Sequence, residues 1–157
     1  MINLKEYISE SILDVDDNID NVDKNIKDQI KQFLNDNFDK AFLYKISDKP
    51  NADGKYEVSS SNNITVENKK ITSLTNKSFI WTTVDGDFDC SDCKSLKSLE
   101  GAPKEVENFS CTNCTSLKSL EGASKEVYGD FLCSYCGIKF TTDDVKKVSN
   151  VKGNIIV

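Results

Sequence analysis

The chain has 157 residues, a formal net charge of -6 and 20 basic residues, all of them lysine, with no histidine. Arginine is the usual bidentate ligand of phosphate and guanine, and histidine is the usual general base and metal ligand near neutral pH. The composition therefore argues against nucleic-acid binding and against an enzyme, and we expect no cofactor. No apolar run is long enough for a signal peptide or a membrane span, so we expect a cytoplasmic protein with reduced cysteines and no membrane partner.

Apolar residues recur at helical spacing in the first 37 residues. A short stripe over 1–13 is followed by the acidic segment D-V-D-D-N at 14–18, which predicts a break. A second stripe, from Ile19 to Leu34, predicts an amphipathic helix over 19–37. We expect residues 1–18 to be a flexible or leader segment. The helix is expected to cap the domain that follows or, alternatively, to dock a partner.

A hairpin is predicted after this helix. Residues 42–47 alternate like a strand, residues 48–54 contain turn-forming proline and glycine, and residues 55–59 resemble the returning strand. We therefore assign residues 19–59 to an N-terminal cap made of the helix and the hairpin.

One phrase then recurs with a period of 21 or 22 residues, marked by Phe88, Phe109 and Phe131, each followed by C-x-x-C two residues later. A related turn precedes it at 64–74, and the phrase restarts at 151–157. Such a period is typical of stacked repeats. It predicts an α+β repeat fold in which residues 60–157 form a solenoid of about four turns of parallel strands plus a terminal strand.

Alternation along the F-x-C strands places the phenylalanine and the first cysteine inside and the residue between them outside. The leucines that follow, such as Leu96 and Leu99, are expected to line the opposite wall, with Ile138 in this role in the third unit. The glycines at the bends are expected to adopt positive φ, namely Gly86, Gly101, Gly122 and Gly129. The outward positions predict a polar, acidic binding surface with two apolar residues: Asp87, Asp89, Asp92, Asn108, Ser110, Asn113, Asp130, Leu132 and Tyr135.

The six cysteines allow three interpretations. Cys90, Cys93, Cys111 and Cys114 fit a C-x2-C-x17-C-x2-C zinc pattern. However, the first turn has Val66 and Lys69 at the cysteine positions, which favours ladders of buried thiols. Disulfides between adjacent turns are the third interpretation, because equivalent residues lie about 5 Å apart in stacked turns. We predict no metal.

The offsets 0, 2, 7 and 10 of the apolar residues in 64–74 match the spacing of leucine-rich repeats. The segment C-T-S-L-K-S-L (114–120) resembles the leucine-rich repeats of bacterial surface proteins. S-L-E-G-A-P-K-E-V and G-D-F-x-C-S-x-C resemble repeat proteins encoded by gut bacteria and their crAss-like tailed phages. The resemblance covers about residues 60–157 and implies a leucine-rich-repeat solenoid.

The segment L-K-E-Y-I-S-E-S (4–11) is similar to the short leaders of internal head proteins of large tailed phages. That resemblance implies a protein associated with the virion and a maturation cleavage after Ile8-Ser9-Glu10. An ordinary amphipathic terminal helix is the alternative.

Together these observations predict a non-catalytic module for protein–protein interaction or structure, with another protein as its partner. A zinc-binding adaptor and an extracellular, cell-surface binding protein with bridged cysteines are the alternatives.

Overall fold

A computed structural model describes residues 4–39 and 43–157, with side chains described from Asp20 onward. Two helices and eleven strands occur in these residues. In chain order they are α1 Leu4–Asn37, β1 Tyr44–Ile46, β2 Tyr56–Ser60, β3 Ile64–Thr65, β4 Phe79–Val84, β5 Phe88–Asp89, β6 Glu105–Val106, β7 Phe109–Ser110, β8 Glu126–Val127, β9 Phe131–Leu132, α2 Thr142–Val148, β10 Asn150–Val151 and β11 Ile155–Ile156.

The helix α1 is longer than predicted. It continues through residues 14–18, so the predicted break is wrong. That segment contains no glycine or proline, and aspartate and asparagine disfavour a helix by well under about 1 kcal/mol each. The role of residues 1–18 as a leader stays a prediction, and residues 1–3 lie outside the described part. No helix in the described residues is both long and apolar enough to cross a membrane.

The C-terminal part of α1 packs against the first turns of the solenoid. Ile30 and Leu34 are fully buried, one helical turn apart. Beyond the helix, Phe38 forms an antiparallel bridge with Val66. The N-terminal part of the predicted stripe is not buried in the same way, since Val22 is 52% exposed.

The predicted hairpin is confirmed, with residue 42 outside the described part. β1 pairs with β2 in antiparallel orientation. β2 then pairs with β4 in parallel orientation, so the hairpin extends a sheet of the solenoid. Asn51 closes the turn, since its side-chain oxygen accepts hydrogen bonds from the backbone N–H groups of Asp53 and Lys55.

The repeats form a β-solenoid of about four turns, as predicted. Their F-x-C strands stack into one parallel sheet, here the second sheet, in the order β11-β9-β7-β5-β3. The register places Phe88 beside Phe109 and Phe109 beside Phe131. Every side chain predicted to point inward on β5, β7 and β9 is buried.

A further sheet was not predicted. This first sheet has the order β1-β2-β4-β6-β8-β10 and is parallel from β2 onward. β6, β8 and β10 have only two residues each, too few to show a strand alternation. The recurrence of K-E-V before two of the F units, at 104–106 and 125–127, is the signal that could have revealed them.

Glycines serve two purposes at the bends. Gly101 and Gly122 have φ of 88° and 84°, as predicted. Gly86 and Gly129, which we expected to share this conformation, are not among the residues with positive φ. They are needed for space, because a side chain at Gly129 would collide with the Asn108 amide oxygen of the preceding turn.

The third turn departs from the predicted pattern. Ile138, expected on the inner wall, is 46% exposed, and Phe140 is buried instead. The following helix α2 explains the change, because it adds a core residue, Val145, that the earlier turns lack. A capping box of Thr141 and Asp144 fixes the start of α2.

Aromatic rings fill the core along the solenoid axis. Phe109 stacks on Phe88 with 5.8 Å between ring centroids and on Phe131 with 5.0 Å. At the N-terminal end Trp81 meets Phe38 edge to face at 5.5 Å. The Trp81 indole N–H donates to the Leu74 carbonyl, so this buried polar group is satisfied.

Candidate binding surface

The nine predicted surface residues occupy three rows that run along the solenoid. The first row lies just before the second-sheet strands, the next lies on their outer face, and the third lies at the turn that follows. In this order the rows are Asp87, Asn108 and Asp130; Asp89, Ser110 and Leu132; and Asp92, Asn113 and Tyr135.

The first row forms a hydrogen-bonded ladder, here the Asx ladder, which also includes Asn63 and Asn154. The side-chain oxygen of Asn108 accepts from the Asp130 N–H at 2.6 Å, and its amide donates to the Asp87 carboxylate at 2.6 Å. The Asp130 carboxylate accepts from Asn154 in turn. Aspartate and asparagine alternate along the ladder, which keeps carboxylates from facing each other. These side chains hold adjacent turns together.

The third row has an unusual backbone. Asp92, Asn113 and Tyr135 have φ of 63°, 59° and 57°. Aspartate and asparagine tolerate this left-handed conformation, whereas a bulky side chain adopts it rarely. The Asn113 amide also donates to the Asp92 carboxylate. Tyr135 departs from the row in residue type and is 83% exposed.

The middle row changes character along the solenoid. Register places Asp89, Ser110, Leu132 and Ile156 side by side on the outer face of the second sheet. The Asp89 carboxylate accepts from the Ser91 N–H at 2.8 Å, and the hydroxyls of Ser91 and Ser110 lie 2.7 Å apart. The face is therefore polar toward the N-terminal end and apolar toward the C-terminal end.

Apolar side chains are concentrated at that C-terminal end. We call this set the C-terminal patch: Leu132, Tyr135, Ile138, Ile156 and Val157. Ile156 is 47% exposed and Val157 is 42% exposed. Tyr135, Ile138 and Val157 also line a cavity of about 340 Å³. The strand alternation predicts Leu132 and Tyr135 at the surface. It does not predict the other three, because the repeat spacing places Ile138 on the inner wall and identifies 151–157 only as a terminal strand.

The six cysteines are free thiols, and five of them are buried, as expected for core residues. They interact diagonally between turns. The Cys114 thiol donates to the Cys90 carbonyl at 3.1 Å, and the Cys136 thiol donates to the Cys111 carbonyl at 3.3 Å. Thus the second cysteine of one pair meets the first cysteine of the preceding pair.

These contacts shift the thiol pKa values in opposite directions. A hydrogen bond with the Cys114 thiol, together with burial, raises the pKa of Cys90. The same hydrogen bond lowers the pKa of Cys114, although burial opposes this change. Burial raises the pKa of Cys93 to about 12. A hydrogen bond from Cys111 lowers the pKa of Cys136 to about 7, although burial opposes this change.

The zinc alternative finds no support in this arrangement. Within residues 4–39 and 43–157, no group of three or more histidine, cysteine, aspartate or glutamate side chains is placed to hold a metal ion. The thiols meet in one pair, Cys90 with Cys114, and in one group of three around Cys111, whereas a structural zinc site needs four converging ligands.

We compared the chain with protein-family models, with curated proteins and with solved structures, and none of them matches it.

Proposed function

We propose that this protein is a non-catalytic protein-binding module and that the C-terminal patch is its binding surface. The partner in this proposal is a protein that presents an extended, apolar segment. Three features of the described residues support it.

The conformation of Tyr135 is the observation that carries the proposal. A non-glycine residue in the left-handed region costs about 1 kcal/mol or more. Asp92 and Asn113 offset part of this cost with a hydrogen bond between adjacent turns. Tyr135 is 83% exposed, so its ring adds little burial in return. A large aromatic residue held in this conformation at the surface is typical of a recognition residue.

The surroundings of Tyr135 favour a protein partner. The patch combines four side chains that are at least 42% exposed with the half-buried Leu132. Clustered apolar exposure of this kind marks interaction sites, whereas single exposed apolar residues are ordinary.

The strand edges favour an extended partner segment. The two sheets end in β10 and β11 at the side of the C-terminal patch, and in β1 and β3 at the opposite side. β10 and β11 therefore each have one edge without a paired strand among the described residues. An extended peptide can add to such an edge through backbone hydrogen bonds while its side chains contact the neighbouring patch.

We infer that the solenoid is of the leucine-rich-repeat type, supported by the buried residues Leu96, Leu99, Leu117 and Leu120 at equivalent positions. We also propose that α1 acts as its N-terminal cap, supported by the burial of Ile30 and Leu34. A phage-encoded protein that is cytoplasmic or associated with the virion remains our proposed setting, supported by the resemblances of 4–11 and 60–157.

The test is site-specific photocrosslinking followed by quantitative binding. A photoreactive amino acid placed at Ile138, beside Tyr135, should give one discrete crosslinked protein in the producing cells. The purified partner should bind the wild-type chain in calorimetry. Tyr135→Asn, which introduces the residue found at Asn113, should weaken binding by about tenfold or more without lowering the melting temperature.

Tyr128→Asn is the matched control, because Tyr128 is an exposed tyrosine outside the C-terminal patch, with its hydroxyl bonded to Glu105. This variant should bind as the wild type does. If the Tyr135→Asn variant binds as tightly as the wild type, the proposal is overturned. The binding surface would then have to be sought in the polar rows or on α1.

A further inference from the structure

Three cysteines meet at the C-terminal end of the solenoid. The Cys136 sulfur lies 3.3 Å from the carbonyl oxygens of both Cys111 and Cys133. The Cys111 thiol shares hydrogen bonds with the thiols of Cys133 and Cys136. Cys111 and Cys136 belong to adjacent turns, so a covalent bond between their sulfurs would join those turns.

Access distinguishes these three thiols. Cys111 and Cys133 are buried, whereas Cys136 is the one cysteine of the six that is only partly buried. It lines the cavity of about 340 Å³ together with Tyr135 and Ile138. Cys133 borders the same cavity but is only 2% exposed. A small reagent in this cavity can therefore reach the Cys136 sulfur without unfolding of the solenoid.

The electrostatic environment favours Cys136 as the nucleophile. The hydrogen bond from the Cys111 thiol lowers the pKa of Cys136 to about 7, although burial opposes this change. The pKa of Cys111, in contrast, is raised by hydrogen bonds with Cys133 and Cys136 and by burial. The thiolate is the reactive form, and thiols with a pKa near the ambient pH attack fastest.

We propose that Cys136 is a site of oxidative modification by hydrogen peroxide and that Cys111 resolves the product into a Cys111–Cys136 disulfide. In the first step the Cys136 thiolate attacks one peroxide oxygen, the O–O bond breaks, and the leaving hydroxide takes a proton to become water. The Cys111 thiol then attacks the sulfur of the Cys136 sulfenic acid, the S–O bond breaks, and the Cys111 proton passes to the departing hydroxide, which leaves as a second water. Two thiols and one peroxide thus give one disulfide and two waters.

The chain contains its own reference pair. Cys90 and Cys114 have the same diagonal relation, with the Cys114 sulfur 3.1 Å from the Cys90 carbonyl. Both of these cysteines are buried. A difference in oxidation rate between the two pairs therefore reports access and thiolate content, since the arrangement between turns is shared.

The experiment treats the reduced full-length chain with hydrogen peroxide, quenches by isotope-coded alkylation and maps the peptides by mass spectrometry. The Cys111–Cys136 disulfide should form about tenfold or more faster than any Cys90–Cys114 disulfide. Cys136→Ser should abolish it, while Cys93→Ser, which alters a thiol outside the trio, should leave its rate unchanged. In the Cys111→Ala variant a dimedone probe should trap the sulfenic acid on Cys136.

Labelling of the wild-type chain keeps the test independent of the folding of any variant. Iodoacetamide should modify Cys136 before the other five cysteines, with half-maximal rate near pH 7. Earlier modification of another cysteine, a first disulfide that involves Cys90 or Cys114, or trapping of the sulfenic acid elsewhere would each overturn the proposal.

Discussion

The two ends of the solenoid differ in how their last core layer is covered. At the N-terminal end, Phe38 and Trp81 lie among aromatic neighbours, and Ile30 and Leu34 of α1 are fully buried. At the C-terminal end, Ile155 and Val151 are only partly buried, and Ile156 beside them is largely exposed. A repeat array buries each layer only through its neighbours. Among the described residues, the core layer at the N-terminal end is therefore buried, whereas the layer at the C-terminal end is partly exposed.

The largest expected effect tests the covered end. Phe38→Ala should lower the free energy of unfolding by about 3–5 kcal/mol, because it leaves a cavity among Phe33, Trp81 and Phe88. Tyr135→Ala at the opposite end should change it by no more than about 0.5 kcal/mol. Urea unfolding monitored by circular dichroism measures both values. Similar losses for the two variants would abolish the distinction between the ends.

The Asx ladder should contribute the next largest effect, since it connects the interior turns. Asn108→Ala removes the acceptor of the Asp130 N–H and the donor to Asp87, and should cost about 1–3 kcal/mol. Asn150→Ala near the open end removes only an exposed bond to Glu126. We expect that variant to stay within about 0.5 kcal/mol of the wild type in the same assay.

The stability of the chain should depend on pH through its thiols. Thiols with a raised pKa and thiols with a lowered pKa should act in opposite directions. The raised pKa values of Cys90, Cys93 and Cys111 mean that above pH 9 the unfolded chain loses these protons first. The free energy of unfolding should then fall, by up to about 1.4 kcal/mol per pH unit for each thiol. Between pH 7 and 9 the lowered pKa values of Cys136 and Cys114 act oppositely, so stability should rise with pH.

Denaturant titrations from pH 6.5 to 10.5 measure this profile. In the Cys136→Ser variant the rise between pH 7 and 9 should shrink, while the decline above pH 9 remains. A decline that persists at full slope after Cys90→Ala and Cys93→Ala would show that other groups cause it.

The smallest effect concerns buried hydroxyls in the C-terminal turns. Ser124 is fully buried, and its hydroxyl has no partner among the described residues. Pro103 occupies the corresponding position one turn earlier, so the site does not require a hydroxyl. Ser124→Ala should therefore stabilise the chain by about 1 kcal/mol in thermal unfolding. A loss of stability would indicate that the hydroxyl is bonded, for instance to water.

The sequence by itself determined the period, the second sheet and most of its core. One repeat equals one turn, and alternate residues of a strand face the same side, so Phe88 and Cys90 had to point inward. The hairpin followed from its turn residues. The first sheet did not follow as clearly, because two-residue strands such as Glu105–Val106 carry no alternation that a single sequence can show.

Only the tertiary structure decided what the surface residues do. Asn108 has its partners 21 and 22 residues away, and the Cys136 thiol donates to the carbonyl of Cys111 in the preceding turn. Ile138 lies outside because Phe140 and α2 fill the core in its place. Local patterns fix which way a side chain points along its own strand. Its contacts depend on how adjacent turns stack, and that is a property of the assembled solenoid.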